Sequence, residues 1–176
     1  MAKETKDLLS EYMEISENAP VEDEAFIVDT AEELSRLGGL LEILGSLGYD
    51  GTLMMDGEGL PYIDVEIEGD LIRFIYVTAG AGSDEYFLQI SGTVMTFEEE
   101  EELDLGKALL CENFNQGSIF GFAVYHPFDG EIELRAQTYE EGGLSEPETY
   151  KRLIEHYFDA AAEFTDLLEE QENQVL

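Results

Sequence analysis

The chain predicts an α+β fold, an antiparallel sheet of about five or six strands with three main helices and a short N-terminal helix. Three observations lead there. Apolar residues recur at helical spacing in two long stretches, residues 30–47 and 147–168. Between them lie short segments that alternate apolar and charged residues. Gly-Asp and Asp-Gly turns link these segments as sequential hairpins, which favours antiparallel pairing with helices on one face.

Residues 1–28 read as an appendage ahead of a single domain at 29–176. Leu8, Leu9, Tyr12, Met13 and Ile15 sit at helical spacing and predict a short amphipathic helix. Residues 16–25 are polar, contain Pro20 and read as a linker. Phe26, Ile27 and Val28 then form an apolar patch. Thr30 and Glu33 have the spacing of a capping box, so the first main helix is expected to open at Thr30. One leucine stripe holds Leu34, Leu37, Leu41 and Leu44. A second holds Leu40, Ile43 and Leu47. Gly48 supplies a stop.

Strands are predicted at 52–55, 62–67 and 71–78, the last two joined by Gly69 and Asp70. A flexible loop follows at 79–83, then a strand at 85–91 that extends past Gly92 to Phe97. Five consecutive glutamates at 98–102 repel one another and read as a solvated loop or helix start. The next helix is predicted at 104–115, burying Leu105, Ala108, Leu109 and Phe114. Strands at 119–126 and 131–138 flank a turn of Pro127, Phe128, Asp129 and Gly130. Ile132 and Leu134 alternate with Glu133 and Arg135, one face buried and one wet. Ser145, Pro147 and Glu148 open the last helix, whose roughly five turns reach 35–40 Å at about 1.5 Å per residue.

Charge bounds the function. The chain has 42 acidic and 8 basic residues, a net charge of -34. Nucleic acid and anionic membranes repel such a surface, so neither is an expected partner. The charge fits solubility, a salt-loving host, or attraction to a basic or apolar protein client. A surplus of Glu over Asp and large apolar core residues argue against the salt-loving host. With 44% hydrophobic residues the chain can build a core. A lone cysteine, Cys111, allows no internal disulfide and suits a reducing cytoplasm. The N-terminus has no sustained apolar region, and no apolar run approaches the length of a membrane span, so the protein is expected to be cytoplasmic.

No catalytic constellation accompanies the charge. Asp56, Glu58 and Asp64 lie near one another, but a calcium loop counted from Asp56 would need Gly at Pro61 and Glu at Ile67. Cys111 lies among Leu109, Leu110 and Phe114 as a small core residue, and nothing places His126 or His156 near it. Gly80, Ala81 and Gly82 lack the Lys and Ser/Thr of a phosphate loop. Lys107 in acidic surroundings is better explained by neutralisation. No catalytic residue, metal or cofactor is expected.

The helix at 30–47 is followed by Gly48, Tyr49, Asp50, Gly51 and meandering strands. The helix Ala108, Leu109, Leu110, Cys111, Glu112, Asn113, Phe114, Asn115 ends in Asn before a strand, and a hairpin and long aromatic helix follow. Over residues 30–170 this order resembles the YbjN family, bacterial proteins described as sensory-transduction regulators, with the fold of type III secretion chaperones. The resemblance implies a small, acidic and dimeric protein; the YbjN-like members have no settled biochemical activity, and no catalytic residue carries over from them. The secretion chaperones of that fold bind an extended segment of a client. The segments at 1–28 and 85–97 depart from the compact pattern.

Together these features predict a chaperone-like or regulatory protein-binding module acting as a homodimer. Leu40, Ile43 and Leu47 are the candidate partner-binding residues, and filling the monomer core is the equal alternative for them. The second functional reading is an acidic inhibitor or nucleic-acid mimic that occupies a basic protein.

Overall fold

Side-chain alternation in the strands sorts apolar residues to one face, and three helices cover that face. A computed structural model describes residues 24–57, 59–78, 86–98, 103–140 and 143–174. The elements are α1 (Glu24–Ser46), β1 (Gly51–Met55), β2 (Pro61–Ile67), β3 (Asp70–Thr78), β4 (Tyr86–Thr96), α2 (Leu105–Gly117), β5 (Phe122–His126), β6 (Glu131–Glu140) and α3 (Pro147–Gln174). The α+β class is the one predicted. The six strands form one antiparallel sheet in the order β1-β2-β3-β4-β6-β5. The predicted N-terminal helix, the 79–83 loop and Glu99 to Glu102 lie outside the described residues, as does most of the 16–25 linker.

Helix α1 begins at Glu24, so Thr30 lies inside it and the helix crosses the boundary drawn between residues 28 and 29. No Gly or Pro interrupts residues 24–29, and a nucleated helix extends through such a stretch. It stops as predicted. The Tyr49 N–H donates to the Leu44 carbonyl at 2.9 Å and the Gly48 N–H to that of Gly45 at 3.1 Å, a Schellman motif.

In β2, Ile63, Val65 and Ile67 face the helices, as alternation predicts. The β2–β3 turn is one residue earlier than expected. Glu68 (φ 57) and Gly69 (φ 101) both take left-handed conformations, and Asp70 already pairs with Ile67. Two positive φ values make the mirror-image turn whose twist matches the strands. Gly92 does not break β4. A Cβ there would lie 2.4 Å from the Tyr157 hydroxyl, so glycine lets α3 approach the sheet. The register shifts between Thr93 and Met95, leaving Val94 as a bulge.

Two burial expectations are overturned. In α2, Leu110, Cys111 and Phe114 are buried, whereas Leu105 and Leu109 are 69% and 58% exposed. The helix offers two apolar stripes, but its main packing partners are β5 and α3, so one stripe is used. Strand β5 begins at Phe122, and Ile119 and Phe120 stay outside it and exposed. Helix α3 opens at Pro147, two residues beyond Ser145, whose backbone N–H donates to the Tyr150 hydroxyl at 2.7 Å. Its 28 residues extend roughly 42 Å.

One core joins Leu34, Leu37, Leu40 and Leu44 of α1, Phe114 of α2, Tyr150, Tyr157 and Phe164 of α3, and the inward strand residues. Among the described residues no helix is long and apolar enough to cross a membrane. The left-handed Glu68 costs about 1 kcal/mol, and Asn tolerates that conformation better. Glu68→Asn is therefore expected to stabilise the fold by about 0.5–1 kcal/mol, read as a rise in urea midpoint at unchanged slope.

Candidate protein-binding face

Because the helices share one face, the other face of the sheet carries the alternate residues of every strand. The pairing aligns them in cross-strand rows. One row runs Asp64, Arg73, Ser91, Arg135, Phe122 across β2, β3, β4, β6 and β5. On one side lie Ile75, Gln89 and Gln137, then Val77, Phe87 and Tyr139. On the other side lie Thr93, Glu133 and Val124. The face thus grades from apolar and aromatic at one end to charged at the other.

Arg73 holds Asp64 with two hydrogen bonds, Nε to Oδ1 at 2.9 Å and Nη2 to Oδ2 at 3.2 Å. Its guanidinium lies 4.0 Å over the Tyr62 ring. Arg135 donates from Nε to Glu133 at 2.7 Å, and His126 Nε2 lies 3.4 Å from the same carboxylate. Burial pushes the Glu133 carboxyl up, but hydrogen bonds from Ser91 and Arg135 and the Arg135 charge hold it below its ordinary value. Gln137 donates to Gln89 at 2.7 Å, and Thr93 to Glu131 at 2.7 Å. Ser91 and Gln89 are 3% and 5% exposed although no helix covers them, so their neighbours fold over them.

Two hollows mark this face. The larger, about 530 Å³, is bounded by residues that include Leu60, Tyr62, Ile75, Val77, Gln89 and Arg135. The smaller, about 220 Å³, is bounded by Asp64, Leu71, Thr93, Glu131 and others. Arg73, Ser91 and Glu133 line both, so the hollows adjoin. A surface of this size with apolar walls and a few fixed polar groups suits an extended chain segment.

The residues singled out from sequence lie elsewhere. Leu40 is 0% exposed in the core, so it cannot meet a partner. Ile43 and Leu47 are half-buried against the same core. An apolar helix stripe looks alike whether it meets a sheet or another chain, and here it meets the sheet. The open face went unnoticed because register, a non-local property, assembles it. Arg135 on the wet side of β6 was its one visible trace.

Other reactive groups stand apart. Cys111 is buried, and burial pushes its thiol up to about 11. His126 lies 3.8 Å from Asp129, and the His156 ring is 4.3 Å from that of Phe120. Among the described residues no three His, Cys, Asp or Glu side chains are grouped to hold a metal ion. Glu140, 1% exposed, accepts from the hydroxyls of Tyr76 (2.7 Å) and Tyr150 (2.5 Å). This cluster ties elements together; Glu140 is buried, and Tyr76 also lines the larger hollow.

Burial, reinforced by Glu140, pushes the Tyr76 and Tyr150 phenols above their ordinary 10.0, and burial does the same for Tyr157. A raised phenol stabilises the fold fully below the unfolded value and loses that contribution as pH rises through the folded one. Above pH about 10 the protein is expected to lose stability. Three phenolate signals should then appear together with loss of the helical circular-dichroism signal. Ionisation of every tyrosine before the helix signal falls would refute the buried arrangement.

No family model, no curated protein and no solved structure matches this chain.

Proposed function

We propose that the protein is a non-enzymatic, chaperone-like or regulatory binding module that presents the open face of its sheet to an extended segment of a client protein. The observation that carries this reading is the uncovered face with its adjoining hollows. Catalytic chemistry needs a nucleophile or acid–base pair open to substrate. Here Cys111 and Glu140 are buried away from that face, and its arginines Arg73 and Arg135 are paired with Asp64 and Glu133. The reading accords with the resemblance to the YbjN family and to secretion chaperones, and with a cytoplasmic location.

The test is nuclear magnetic resonance of the labelled chain titrated with a library of extended peptides. Bound peptides are expected to shift amides of β3, β4 and β6 around Arg73, Gln89 and Arg135. Ile75→Asp should abolish binding while leaving the helical resonances in place. Shifts confined to the helical layer would overturn the assignment of the face.

We further propose a homodimer. With Leu40 in the core, its interface has to use other apolar side chains, and Leu105 and Leu109 stand exposed one turn apart on α2. Light scattering is expected to give a dimer mass at about 0.1 M and 1 M salt, because salt screens charge without weakening apolar burial. Leu105→Asp should give a monomer. A monomer of the unaltered chain at both salts would remove the dimer and leave the face as it stands.

The net charge of -34 favours a second reading, the acidic inhibitor or mimic of nucleic acid. Its binding to a basic protein would fall steeply with salt and would be lost when the glutamates at 98–102 become glutamine.

A further inference from the structure

The two hollows differ in chemistry, and that difference selects a client sequence; the inference rests on the binding role of the open face. The larger hollow has apolar walls from Leu60, Pro61, Tyr62, Ile75 and Val77, and its carboxylates Glu33, Asp56 and Glu133 stand against two cations, Arg73 and Arg135. The smaller is bounded by three carboxylates, Asp64, Glu131 and Glu133, against one cation, Arg73. That cation is committed to both oxygens of Asp64. Glu133 is balanced by Arg135. Among the described residues Glu131 has a neutral partner, the hydroxyl of Thr93. The smaller hollow therefore keeps a net negative charge beside an apolar bay.

We infer that the open face binds an extended segment with an apolar residue in the larger hollow and a Lys or Arg four positions away in the smaller. The spacing follows from the sheet. From the level of Ile75 to that of Leu71 is four residues along β3, roughly 13 Å at about 3.3 Å per residue. An extended client lying along the strands presents every second side chain to the face with the same rise, so its first and fifth residues span the two hollows. Charge complementarity selects this occupant. A chain of net charge -34 attracts cationic segments and repels acidic ones.

The experiment uses the full chain and three labelled peptides of equal length in fluorescence anisotropy. One carries Leu and Arg four positions apart, the second has Gln for Arg, and the third has Glu for Arg. The Arg peptide should bind roughly tenfold more tightly than the Gln peptide, and the Glu peptide should not bind. Glu131→Gln should reduce that preference severalfold, at an unchanged unfolding midpoint. Equal binding of the Arg and Gln peptides would overturn the inference and leave the binding role of the face intact. Failure of all three to bind would overturn both. An Arg preference untouched by Glu131→Gln but lost when residues 98–102 become glutamine would place the charge readout elsewhere and overturn the inference.

Discussion

The architecture depends on a carboxylate that has no access to water. Glu140, the last residue of β6, receives the hydroxyl of Tyr76 from β3 and that of Tyr150 from the first turns of α3. The Ser145 N–H lies 3.4 Å from the same carboxylate. A buried acid without such donors costs several kcal/mol, so the site is occupied only when all three elements are in place. It therefore ties the end of β6 to the start of the long helix, which further along approaches the sheet closely at Gly92. With α1 and α3 committed to one face, the opposite face is left to the polar alternates of the strands.

A sheet with one wet face also has two edges to manage, and this one treats β5 explicitly. Asn115, near the end of α2, accepts from the Ala123 N–H at 2.6 Å and donates to the Ala123 carbonyl at 3.0 Å. One side-chain amide thus occupies both outward backbone groups of Ala123, which a further strand would otherwise use. The helix that supplies it is held by Asp104, which accepts from Gly106 and Lys107 at its N-terminus. Capping, helix placement and edge protection are consequences of one short segment. This gives a physical reason for an Asn at the end of a helix just before a strand.

What could be read in the sequence was local. Alternation in β2 and β6, the Gly48 stop and the Asp129–Gly130 turn depend on near neighbours, and each was legible. The start of α1, the buried stripe of α2 and the start of β5 were not, because each is decided by what packs against it. Leu105 and Leu110 are equally good helix residues; only the proximity of β5 and α3 makes one of them core. The same limit applied to Leu40, Ile43 and Leu47. Hydrophobic patterning reports that a face wants to be covered, and tertiary structure decides by what. The open face was hidden for a further reason. Asp64, Arg73, Ser91 and Arg135 come from four strands, and pairing register alone makes them neighbours.

The arginines on that face explain how so acidic a chain can keep a flat polar surface together. Carboxylates packed side by side on a sheet repel one another, and directly opposed like charges destabilise it. Arg73 opposite Asp64 and Arg135 beside Glu133 remove that repulsion where the strands are closest. Each exposed pair contributes modestly to stability, so their main effect is on where charge remains. Neutralisation is complete near Asp64 and partial toward Glu131, which leaves a gradient along the strands. The surplus charge elsewhere acts at long range and raises encounter rates with cations. In the proposed binding role the gradient acts at contact and orients an arriving segment, so net charge and local pairing have separate roles there, one in attraction and one in register.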